Sequence, residues 1–223
     1  MNKKKLLSLA LVLIMIAILS FGTLAWFSDA DEVTNTFKVA GSDDADPDDI
    51  FSVDVWEDVD GDGKKDVTEG YDYGNILPGD LLDKEAHVEN TGSYDQYIRV
   101  TVTISDAEAW INALGSNFDV TNVFVGFDAT KWTHIWNNLS EATAMPENIV
   151  YVMYYKDILE AGKDITVFTD VQIPTSLTQQ QAAAFEGGFT IDVKADAVQT
   201  ENVVPEGTAA EDAAWAAFKT VEG

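Results

Sequence analysis

Five carboxylates fall within twelve residues at 58–69, where Asp58, Asp60, Asp62, Asp66 and Glu69 are interleaved with Gly61, Gly63, Lys64 and Lys65. Hard oxygen donors at this spacing suit a hard divalent cation. Positions 1, 3 and 5 of a twelve-residue calcium loop are Asp58, Asp60 and Asp62, and Gly63 at position 6 permits the sharp turn. Lys64 would offer its backbone carbonyl, Asp66 would act directly or through water, and Glu69 would close the shell with two oxygens. Without a counter-ion these carboxylates repel one another. Calcium is therefore the expected cofactor, held with the weak affinity of extracellular modules, on the order of 10⁻⁴ to 10⁻³ M. The competing reading of the same residues is a solvated acidic hairpin tip. A second acidic run, Asp43, Asp44, Asp46, Asp48 and Asp49, lacks ligand spacing and fits a solvated linker.

An EF-hand sets such a loop between two amphipathic helices, whereas residues 50–56 here alternate as a strand and residues 70–74 form a turn. Lys65 also replaces the usual aliphatic residue at position 8. The loop is therefore grafted between β elements. Further strand-like segments are expected at 86–90, 97–105, 120–127, 149–155, 165–173 and 189–197, separated by Gly, Pro, Asn and Asp clusters. In the second of them Ile98, Val100, Val102 and Ile104 share one face. This count, with 46% apolar residues and no repeat of fixed period, predicts one all-β, antiparallel sandwich domain over 42–223. Short helices interrupt it where capping boxes occur, Ser105 with Glu108, Ser176 with Gln179, and Thr208 with Glu211 at the C-terminus. Trp110, Leu114, Phe185, Trp215 and Phe218 then fall on buried helix faces.

Several chemistries are disfavoured. The chain has two histidines, His87 and His134, which do not form the paired-histidine motif of a zinc protease, and it has no cysteine nucleophile, Gly-x-Ser-x-Gly elbow or phosphate-binding glycine loop. No enzyme is expected. A net charge of −26 disfavours nucleic acid as a partner.

The N-terminus carries Lys3, Lys4 and Lys5, an apolar run over 6–19, and small residues Thr23 and Ala25, the pattern of a cleaved signal peptide. Cleavage is expected between Ala25 and Trp26, so 1–25 is removed and membrane contact ends there. An uncleaved anchor is the alternative, since 6–27 is nearly long enough to span a bilayer. Cleavage leaves 10 basic against 39 acidic side chains, net −29, on a secreted chain whose assembly should respond to salt, divalent cations or acid. In the new N-terminal segment, 26–41, Val33, Asn35, Phe37 and Val39 alternate with Thr34, Thr36 and Lys38 as a strand with one face to bury.

The segment Gly22-Thr23-Leu24-Ala25-Trp26-Phe27-Ser28-Asp29, followed by Thr34-Asn35-Thr36-Phe37-Lys38-Val39-Ala40-Gly41, resembles the start of the TasA/camelysin family of secreted biofilm-matrix proteins. Leu77-Pro78-Gly79-Asp80, with the turn Asn90-Thr91-Gly92-Ser93, is similar to the family's central block. Tyr154-Tyr155-Lys156, Ile173-Pro174, Ile191-Asp192-Val193 and Ala195-Asp196-Ala197-Val198-Gln199 continue the likeness. The resemblance implies a jelly-roll-like β-sandwich, processing by a SipW-type signal peptidase, and location in the extracellular matrix or at the cell surface. It also implies self-assembly into a head-to-tail fibre, to which a matrix accessory protein belongs as a candidate partner. In such a fibre the strand 33–39 is donated to a neighbouring subunit, with Phe37 and Val39 as anchors; pairing within the same chain is the alternative. Two other functions stay open, a monomeric cell-surface binding module using Tyr71, Tyr73 and Tyr94, and the metalloprotease activity described for camelysin-type relatives. The calcium loop is not typical of the family.

Overall fold

The structure, a computed structural model, describes residues 28–32 and 35–37 as backbone, and residues 52–66, 73, 76–114, 119, 122–139, 144–175, 177–178, 181, 185 and 188–223 in full. The strands among them are β1 (Ser28–Glu32), β2 (Asn35–Phe37), β3 (Val53–Asp58), β4 (Leu81–Asn90), β5 (Gln96–Ile104), β6 (Phe124–Val125), β7 (Trp132–Asn137), β8 (Ile149–Tyr155), β9 (Asp164–Gln172) and β10 (Ile191–Gln199). The helices are α1 (Ala107–Leu114) and α2 (Ala213–Glu222). One sheet runs β2-β1-β10-β5-β8-β7 and the other β3-β4-β9-β6, with every pairing antiparallel. The chain crosses between the sheets six times, so that β1, β10, β5 and β8 interleave against β4, β9 and β6. This is the jelly-roll sandwich, in which sequence-distant strands become neighbours.

Period-2 alternation builds the core. Ile98, Val100, Val102 and Ile104 of β5 are fully buried and pack with Val193, Ala195 and Ala197 of β10 and with Val53 and Val55 of β3. The corner from β4 into β5 crosses sheets and is held by buried amides. Asn90 Nδ2 donates to the carbonyls of Tyr94 and Leu159 at 2.8 and 2.9 Å, and Gln96 Nε2 donates to Ser52 O at 3.0 Å. The Pro78-Gly79 turn places Gly79 at φ +95°, a conformation that favours glycine, and Asp80 Oδ2 accepts from Leu77 N at 2.7 Å.

The first and last of the expected helices form where expected but not by the expected caps. Ser105 Oγ accepts from Thr190 N at 2.8 Å instead of capping α1, whose Ala107 N donates to Glu147 O. Thr208 Oγ1 donates to Pro205 O, and a 3₁₀ turn over Ala210–Asp212 leads into α2 with no side-chain cap. Ser176 and Gln179 of the third box lie outside the described residues; nearby, Thr178 N donates to Gln181 Oε1 at 2.8 Å and Gln181 N to Thr178 Oγ1 at 3.3 Å. Buried Trp110 of α1 meets Phe185 and Phe189 edge-on at 5.0 and 4.9 Å. Trp215 is half-buried and Phe218 buried, as the helix reading requires.

Helix α2 covers the outer face of the six-stranded sheet. Its Ala213, Ala214, Ala217 and Phe218 pack on Tyr97, Tyr154 and Val198. Arg99, the chain's one arginine, fixes it there: Nε and a terminal nitrogen donate to Asp196 Oδ2 at 3.0 and 2.7 Å, the other nitrogen reaches Glu222, and the guanidinium lies 4.6 Å from the Phe218 ring centre. Burial works against that charge, but Glu222 and Asp196 outweigh it and push the pKa up. Arg99→Ala is expected to cost roughly 2 kcal/mol, read as about 4–8 °C of thermal stability and as faster proteolytic release of α2.

Candidate metal centre

The loop after β3 begins inside the sheet. Asp58 is its first candidate ligand and the last residue of β3, and it is 1% exposed, while residues 60–66 are exposed. Main-chain pairing of Asp66 N with Glu57 O at 3.0 Å closes the loop's base. Asp58 Oδ1 accepts from Asp60 N at 3.1 Å and Gly61 N at 2.7 Å, and Oδ2 accepts from Gly63 N at 2.6 Å. Gly61 and Gly63 hold φ of +73° and +78°, which turns those N–H groups inward. Burial alone would push the Asp58 carboxyl up. The backbone N–H groups of Gly63, Asp60, Gly61 and Asp62 outweigh it and hold the group below the usual carboxylate range.

Carboxylate oxygens of Asp58, Asp60 and Asp66 lie within 4.8 Å of one another, the one such convergence of three candidate ligands among the described residues. Two oxygens bound to one calcium ion at about 2.3–2.6 Å can be no farther apart than roughly 5 Å, so the three fit a single ion. A carboxylate has about four lone-pair directions. Three of those on Asp58 are taken by N–H groups, which leaves Oδ2 with one for a cation.

Asp62 stands apart, its carboxylate accepting from Lys64 N at 3.0 Å and pairing with Lys64 Nζ. That pair is exposed, so its rupture on ion binding would cost no more than about 1 kcal/mol. Glu69 lies outside the described residues, as do Ala25, Trp26, Val33, Val39 and Tyr71.

Lys65, the residue that breaks the EF-hand pattern, is the loop's anchor: Nζ sits 3.0 Å from Asp54 Oδ2 and 3.9 Å from Glu89 Oε2. A lone loop on a sheet has no partner loop for an aliphatic residue to pair with. Here the contact is made instead with carboxylates of β3 and β4.

Neither histidine joins a metal cluster among the described residues. His87, on β4, stacks on Trp56 with ring centres 3.9 Å apart, and its nitrogens face Asp164 at 3.1 Å and Glu85 at 3.3 Å. His134 sits at φ +47° in the bulge of β7 on the other sheet, 2.9 Å from Asp212 and stacked on Trp215.

Of the strand expected over 33–39, residues 35–37 are described. Residues 28–32 form β1 on the free side of β10, with Ser28 opposite Val198 and Glu32 opposite Lys194. Asn35 and Phe37 belong to β2, which folds back on β1. Sequence reasoning missed Lys65 as an anchor, Arg99 as a clamp, and a buried Lys84–Glu57 pair. For the last, the signal was a charge in the core-facing register of Val53 and Val55. No protein-family model, curated protein or solved structure matches this chain.

Proposed function

We propose that the chain is a secreted, non-catalytic structural subunit that polymerises into extracellular matrix fibres, each subunit adding residues 33–39 to the β10 edge of the next. Calcium in the 58–69 loop lowers the repulsion that opposes assembly. The observation that carries this reading is the mismatch between the strand that occupies β10 within the chain and the strand best suited to it. In β1 the positions aligned with core-facing Ala197 and Ala195 are Asp29 and Asp31. A shift of six residues keeps the same faces and brings Asn35, Phe37 and Val39 opposite Ala197, Ala195 and Val193. That exchanges two acids for uncharged residues, Asn35 for Asp29 and Phe37 for Asp31, and keeps a valine opposite Val193, so that a large ring lies beside the small Ala195, the pocket-and-anchor logic of strand addition.

The geometry around β10 favours it as the acceptor. At the other end of the same sheet, β7 is interrupted by the bulge at His134 and Ile135, which blunts an edge against pairing. The 13 residues from 40 to 52 can span about 45 Å at full extension, enough tether to reach a neighbour. A contact of this type is head-to-tail and does not close, so it yields filaments.

Electron microscopy of the chain starting at Trp26, beside one starting at Ser42, each with and without millimolar calcium, tests the proposal. Filaments are expected from the longer chain alone and in greater number with calcium. Monodisperse particles from both would favour the monomeric binding module, with exposed Tyr94 and Ile158 as candidate contacts.

A further inference from the structure

Glu57 of β3 and Lys84 of β4 are charged residues in apolar positions. Glu57 continues the core-facing series Val53, Val55, and Lys84 the series Val88, Ala86. Glu57 is fully buried and Lys84 nearly so, and Lys84 Nζ donates to Glu57 Oε1. The second carboxylate oxygen, Oε2, is buried with no hydrogen-bond partner. A buried ion pair seldom recovers its desolvation cost unless its remaining lone pairs are satisfied, and here one carboxylate oxygen is not.

The pair's location gives that cost a direction. β3 ends its own sheet, and the strands facing it across the sandwich are β1 and β10. Of these, β10 is locked between neighbours, while among the described residues β1 is bordered on its outer side by the three-residue β2 alone. Departure of β1 breaks fewer of the described strand pairings than departure of β10 and opens the sandwich on the side facing β3, where water would satisfy both charges.

We infer that the Lys84–Glu57 pair is a built-in release device that lowers the free energy of opening the N-terminal strand from its sandwich and so keeps that strand exchangeable. The inference rests on the strand-addition reading for its biological meaning. The opening itself does not. Because a neighbour's strand would cover the pair again, the device speeds exchange without favouring either closed state.

The test is hydrogen exchange on the monomeric chain from Trp26, which holds every described element, comparing wild type with the double variant Glu57→Leu, Lys84→Met. These apolar replacements remove the unsatisfied charge at similar volume. Amides shared between β1 and β10 are expected to exchange about tenfold or more slowly in the variant. If only the slow amides of β5 and β8 gain protection, the pair is a cost to the whole fold and not a release device; equal rates everywhere would overturn the inference as well. Glu57→Gln provides the opposite arm should the double variant fail to fold. It leaves Lys84 without its counter-charge, so β1 amides should exchange about tenfold faster, and an unchanged rate rejects the device. Fibre growth is scored separately: wild-type chain that never assembles defeats strand addition and leaves the exchange result standing.

Discussion

Lys38→Cys and Lys194→Cys introduced together are expected to leave monomers uncrosslinked and to convert assembled material into a covalent ladder of subunits on a non-reducing gel. Glu32→Cys with Lys194→Cys should do the reverse, closing an intramolecular disulfide in the monomer. The basis is register. Glu32 lies opposite Lys194 within the chain, and antiparallel partners have Cα atoms about 4.5–5.5 Å apart, inside the range a disulfide bridges. The six-residue shift that seats Phe37 and Val39 against Ala195 and Val193 brings residue 38 to that same position. With no cysteine in the native sequence, neither pair has a competitor. Oxidised fibres that dissolve to single chains in both variants would mean that another contact holds the filament.

The crosslinks carry more weight than truncation because of where β1 sits. In the order β2-β1-β10, deletion of residues 26–41 strips a hairpin from the sheet's end and leaves the strands around β5 and β8 intact. A truncated chain should fold under either reading. Its failure to polymerise shows that the segment is needed, while the ladder reports which residue of the donor meets which residue of the acceptor.

The core strands were legible because their alternation is uninterrupted, as in β5, where the apolar face expected at Ile98, Val100, Val102 and Ile104 is the buried face. β7 was not, and the cause is local. A bulge at His134 and Ile135 breaks the period of two between Trp132 and Trp136, so no alternating run survives to be recognised. β1 escaped notice for another reason: Ser28-Asp29-Ala30-Asp31-Glu32 has no apolar face, and its pairing comes from a vacant edge on β10. Capping boxes failed at Ser105 and Thr208 because Thr190 N and Pro205 O offered those hydroxyls nearer partners. At the acidic loop, the convergence of Asp58, Asp60 and Asp66 follows from their spacing alone. Lys65 does not, since its partners Asp54 and Glu89 become adjacent only when β3 pairs with β4.

The second large effect is a calcium-dependent rise in thermal stability. A site with Kd on the order of 10⁻⁴ to 10⁻³ M, at 10 mM calcium, stabilises by about 1.4–2.7 kcal/mol, or roughly 3–10 °C for a domain of this size. Magnesium should give less, because it keeps several of its waters and demands a tighter octahedral shell than a flexible acidic loop supplies. Asp58→Asn should abolish the calcium response, since it removes the charged ligand that joins the loop to β3. The same variant separates the ion from the loop's own hydrogen bonds. Without calcium, the native Asp58 carboxylate already accepts three backbone N–H groups, and its folded pKa lies below the ordinary value. A lowered carboxylate pKa contributes stability that is fully present above the unfolded value, about 3.9, and is lost as pH falls through the folded one. In EDTA, wild type should therefore exceed Asp58→Asn in Tm at pH 7, with the gap narrowing only below about pH 4. A gap that ignores pH would mean the carboxylate acts there through shape and not through charge. A wild-type Tm indifferent to calcium would reduce the loop to a solvated acidic tip held to the sheet by Lys65.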